Sequence, residues 1–119
     1  MAVPGFRFVN SHPFDRQWSR LGLGDDELRA LQLRLMFDPE AGDVISGTGG
    51  MRKVRWAIRP GQGKRGGGRV CYALFRRHGI IYLVLVYAKA DQANIAPAKK
   101  PEIARELRQI QWAIERGLL

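Results

Sequence analysis

A chain of 119 residues has room for one hydrophobic core, so a single domain over residues 1–119 is expected. Its 45% apolar and 26% charged residues make a globular composition and exclude a disordered one. The longest apolar run, Ile80–Ala88, is far shorter than the ~20 residues that span a bilayer. Twenty Lys+Arg against eleven Asp+Glu give a net charge of +9, which points to an anionic partner.

Phe6–Val9, after the Pro4-Gly5 break, reads as a short strand. Pro13–Leu21 reads as a short helix, interrupted by Gly22-Leu23-Gly24. Asp25-Asp26-Glu27 places three acids where a helix dipole favours them, and Leu28, Leu31 and Leu35 follow on one face of an amphipathic helix. Asp38-Pro39 ends that helix, and Gly42–Gly50 is a glycine-rich link. From Arg52 the period becomes two: Val54, Trp56 and Ile58 alternate with Lys53, Arg55 and Ala57, a strand with a basic face. A glycine-rich loop over 60–68 leads to a strand over Arg69–Phe75, a polar turn over Arg76–Gly79 and a strand over Ile80–Ala88 that is apolar on both faces. Pro101 suits the first turn of a last helix whose stripe is Ile103, Leu107, Ile110 and Ile114, with Gly117 as its stop. The expected fold is α+β: an antiparallel sheet, formed by an N-terminal strand and a three-stranded meander, packed on one side by helices.

The charge is unevenly spread. No carboxylate occurs between Asp43 and Asp91, and that window holds ten Lys and Arg. The whole positive excess therefore lies on the predicted meander, as expected of a polyanion-binding face. Fifteen of the twenty cations are arginine, the side chain suited to bidentate phosphate contacts.

Several chemistries are disfavoured. Gly61-Gln62-Gly63-Lys64-Arg65-Gly66 matches a dinucleotide-binding glycine pattern, but a strand follows it where the chemistry needs a helix N-terminus. No cofactor is expected. The acid-free window leaves no carboxylate cage for a hard metal on the basic face, and one cysteine builds neither a disulfide nor a multi-cysteine zinc site. His12 and His78 read as surface or capping residues and Cys71 as a packed thiol. A reducing, cytoplasmic setting is expected, with no secretory signal at the start of the chain and no membrane partner.

What remains is a basic sheet face of Lys53, Arg55 and Arg69, with Tyr72, Tyr87 and Lys89 nearby in strand order. RNA carries its own nucleophile, the 2′-OH, beside each phosphate. A protein need only orient it, accept its proton and neutralise charge. Tyrosines on such a sheet can stack a base, and Lys64 and Arg65 on a mobile loop can close on a phosphate backbone.

The stretch from Gly42 to Trp56, GDVISGTGGMRKVRW, continues through Gly61–Tyr72 and Tyr87-Ala88-Lys89. It resembles the HigB/RelE-type toxins of bacterial type II toxin–antitoxin modules, within the RelE/ParE superfamily. The resemblance covers about residues 6–116 in element order. It implies a RelE-like fold, metal-independent cleavage of mRNA in the ribosomal A site, inhibition of translation, and neutralisation by a cognate antitoxin, often one with a helix-turn-helix DNA-binding domain. By that resemblance the catalytic residues are Lys53, Arg55, Arg69 and Lys89; the basic sheet face and loop themselves give Arg52, Lys64, Arg65, Tyr72 and Tyr87 as the RNA-binding residues. The sequence departs from RelE in having Ala90 after that lysine and no tyrosine beyond Tyr87. ParE-type relatives share the fold but poison gyrase, so a non-enzymatic toxin or an RNA-binding module is the alternative reading.

Overall fold

The computed structural model describes residues 5–58 and 67–119. Strand β1 (Arg7–Asn10) runs into helix α1 (His12–Arg20) through Ser11. The Ser11 hydroxyl oxygen accepts the Phe14 N–H at 3.0 Å, capping the helix, and donates to the Val84 carbonyl at 2.7 Å, tying the cap to the sheet. Helix α2 (Asp25–Phe37) follows, with the three acids in its first turn; the Glu27 carboxylate accepts the Gly24 N–H at 3.1 Å. The remaining elements are β2 (Asp43–Val44), β3 (Arg52–Trp56), β4 (Gly68–Phe75), a 3₁₀ turn (Arg76–His78), β5 (Ile80–Ala88) and α3 (Lys99–Glu115). Gly79 closes the β4–β5 hairpin at φ +64°, a left-handed conformation that glycine adopts without strain.

The sheet order is β1-β5-β4-β3-β2. The α+β class is as expected, and two details differ from the sequence reading. First, β1 pairs with β5 in parallel, Arg7 opposite Ile80 through Asn10 opposite Leu83, so the sheet is mixed, and a fifth, two-residue strand forms inside the glycine-rich link. Second, helices cover both faces. Phe14 and Trp18 of α1 and Leu31 and Leu35 of α2 pack with Val54, Val70, Tyr72, Ile81, Leu83 and Val86. Ile103 and Leu107 of α3 pack with Met51, Cys71, Ala73, Tyr82 and Val84 on the other side. A strand apolar on both faces demands two covers, and β5 is that strand. Among the described residues, no helix is long and apolar enough to cross a membrane.

The turn into β2 fixes the sheet edge where the cations gather. The chain crosses β3 so closely at Gly42 that a Cβ there would lie 2.8 Å from the Lys53 carbonyl carbon and oxygen. Gly42 is held by its N–H to the Tyr72 hydroxyl at 3.0 Å and by its carbonyl to an Arg52 guanidinium N–H at 2.8 Å. Gly42→Ala must displace backbone, so a loss of about 1–3 kcal/mol is expected. Thermal unfolding should show it as a Tm lower by several degrees.

Candidate functional site

Directly opposed residues of an antiparallel pair share a face, as do residues two apart on one strand. Lys53 opposes Cys71, Arg55 opposes Arg69, and Arg69 opposes Tyr87. The register therefore brings Lys53, Arg55, Arg69 and Tyr87 to one face of the sheet, the face whose other end α3 covers. Arg55 is exposed, and Lys53 is half-buried with its ammonium 3.5 Å from the Asn94 side-chain oxygen.

Arg69 is the unusual member. It is only 8% exposed, and its guanidinium donates to the Gly68 carbonyl at 3.0 Å. Among the described residues the ion pairs are Arg76–Glu40 and Lys99–Glu102, both on the surface and neither at this face. Among the described residues Arg69 is thus a buried cation without a carboxylate counter-ion. Beside it, Tyr87 is 5% exposed and its hydroxyl has no hydrogen-bond partner among the described residues. Burial pushes the Tyr87 phenol up to about 12, with the Cys71 thiol adding to the rise and Arg69 opposing it. Burial likewise pushes the Cys71 thiol up to about 12 against the pull of Lys53, so this is a packed thiol and not a nucleophile.

Lys89 stands exposed just past β5, two residues beyond Tyr87, with its N–H on the Gly67 carbonyl at 3.2 Å. Two residues expected at the face are elsewhere. Tyr72 is fully buried on the opposite side of the sheet; its hydroxyl donates to the Pro39 carbonyl at 2.7 Å and accepts from Gly42, so no base can stack on it. Arg52 opposes Tyr72 and is spent on the Gly42 carbonyl. Tyr87 is on the correct face but too buried to be a stacking platform. Lys64 and Arg65 lie outside the described residues. His78 sits at the far end of the β4–β5 hairpin and His12 at the exposed start of α1.

A cleft of about 430 Å³ opens at the β3 edge, lined by Lys53, Arg55 and Arg69 together with Arg34, Ala41, Asp43 and Val54. Arg34 and Asp43 escape a reading of the acid-free window because they lie outside it; only the return of the chain from α2 to β2 brings them here. No group of three or more His, Cys, Asp or Glu stands close enough to hold a metal among the described residues.

No family model matches the chain. Among solved structures it is similar to that of the E. coli toxin RelE in the free state, a variant carrying two arginine-to-alanine substitutions. The TM-score is 0.52 at 14% sequence identity, and the match covers 75% of this chain and 88% of that one. The chain has a RelE-like fold. At this identity the likeness is one of backbone path, and any activity of this RelE-like chain is argued from its own side chains.

Proposed function

We propose that this chain is the toxin of a type II toxin–antitoxin module, of the HigB/RelE type, and an endoribonuclease acting on mRNA in the ribosomal A site. The observation that carries the reading is Arg69. A cation buried without a counter-ion costs stability, and such a cost is offset when an anionic ligand completes the pair. The ligand that fits a guanidinium flanked by Arg55 and Lys53 on an open sheet face is a phosphodiester.

The reaction needs no outside nucleophile. The 2′-oxygen attacks the neighbouring phosphorus, the O2′–P bond forms, and the P–O5′ bond breaks. Lys53 takes the 2′-OH proton; Arg55 and Arg69 face the charge that builds on the non-bridging oxygens; exposed Lys89 returns a proton to the departing 5′-oxygen. The products are a 2′,3′-cyclic phosphate and a 5′-hydroxyl end. Cations supply the charge stabilisation, so the reaction proceeds without a divalent ion. The cognate antitoxin, bearing a helix-turn-helix domain, brings acidic or apolar surface over or beside this face, and the setting is the cytoplasm.

Mapping RNA 5′ ends after induction tests the proposal. New ends within translated codons are expected. A DNA-damage response without new RNA ends would instead favour gyrase poisoning.

A further inference from the structure

Strand β2 has two residues, and among the described residues it leaves most of β3 without an outer strand. Asp43 opposes Lys53, and the Ile45 N–H bonds the Met51 carbonyl at 2.8 Å, so odd-numbered β3 residues turn their backbone groups toward β2. The next such residue is Arg55, and among the described residues no strand stands opposite it on that side. Its backbone N–H therefore faces the cleft at the vacated edge. Arg34, in the last turn of α2, lines the same cleft from the side opposite the basic face. Its guanidinium has no hydrogen-bond or ion-pair partner among the described residues. The cleft lining holds four cations against one carboxylate, Asp43.

We infer that Arg34 and the Arg55 backbone N–H form a second phosphate subsite, which holds the nucleotide adjacent to the one being cleaved. The inference rests on the endoribonuclease reading and extends it: the RNA strand does not lie flat on the sheet but turns over the edge of β3, with one phosphate against Arg69 and a neighbouring one against Arg34. A guanidinium and an adjacent amide N–H together make a directional anion grip. The position also explains the two-residue length of β2, since a longer partner strand would fill the path.

The test uses a short single-stranded RNA made uncleavable by 2′-O-methylation, bound to the full chain and followed by fluorescence anisotropy between 50 and 200 mM salt. Each phosphate neutralised on a single strand contributes a slope of about −0.7 in log K against log salt. Arg34→Ala is expected to flatten the slope by about 0.7 relative to the parent chain, and Arg34→Lys to restore most of it. Arg29→Ala, on an exposed part of α2, should leave it unchanged. A helix-terminus role for Arg34 would alter melting but not this slope. An RNA with one neutral methylphosphonate next to the cleavage position provides the second readout. It should weaken binding to the parent chain and have no further effect on Arg34→Ala. If the parent chain binds with a steep slope and cleaves unmodified mRNA on programmed ribosomes, while Arg34→Ala binds with the same slope and still responds to the methylphosphonate, the subsite is wrong and the endoribonuclease reading stands. If the parent chain does not cleave unmodified mRNA on programmed ribosomes, the underlying reading fails.

Discussion

Arg69→Met is expected to abolish RNA cleavage while leaving the protein at least as stable as before. Methionine approximates the volume of the arginine stem and removes a buried charge that has no carboxylate partner among the described residues. Replacing a buried ionic group with an apolar one of similar volume is commonly neutral or stabilising, by up to a few kcal/mol. The catalytic loss should be about 10²–10³-fold, the usual effect of deleting one pre-aligned donor to a charge that develops in the transition state. Thermal unfolding of the variant beside the parent, with cleavage measured on the same preparations, checks both halves. A fall in Tm together with retained cleavage would identify Arg69 as a structural residue and remove the basis for the site.

Tyr72→Phe should do the reverse. The Tyr72 hydroxyl links the Pro39 carbonyl to the Gly42 N–H and so holds the segment that enters β2 against β4. Burial raises the phenol above its ordinary value, partly offset by the Gly42 hydrogen bond, so it stays protonated and donating across the physiological range. Removing the oxygen strands both backbone groups at a cost of about 2–3 kcal/mol. For a chain of this size that lowers Tm by about 8–12 °C. Because Tyr72 faces α1 and α2 rather than the basic face, cleavage at a temperature where the variant is folded should stay within about threefold of the parent. A hundredfold loss of cleavage by a well-folded variant would return Tyr72 to the RNA-contacting set.

The strand period explains why some of the site was legible and some was misread. Lys53 and Arg55 are two apart on one strand and fall together, as the alternation requires. Arg52 and Tyr72 are an odd number of residues from Lys53 and Arg69, and the same alternation sends them to the opposite face; grouping them with the basic patch by proximity in sequence neglects it. The stripe from Ile103 to Ile114 marks α3 plainly, and the two-sided hydrophobicity of Ile80–Ala88 foretells that a second helical layer must exist. Which helix takes which face is set by long-range packing and carries no local signature. The same holds for the parallel pairing of β1, which depends on where the chain returns after two helices. Arg34 is the extreme case, a cation on an amphipathic helix with nothing nearby in sequence to mark it.

The most direct measurement places the chain, and separately Arg69→Met, in a reconstituted translation reaction on programmed ribosomes, and determines the chemistry of the RNA ends. The account predicts cleavage within the codon at the A site, a 2′,3′-cyclic phosphate or 3′-phosphate upstream and a 5′-hydroxyl downstream, all lost in the variant. Ends bearing a 3′-hydroxyl and a 5′-phosphate, or cleavage undiminished in Arg69→Met, would contradict it.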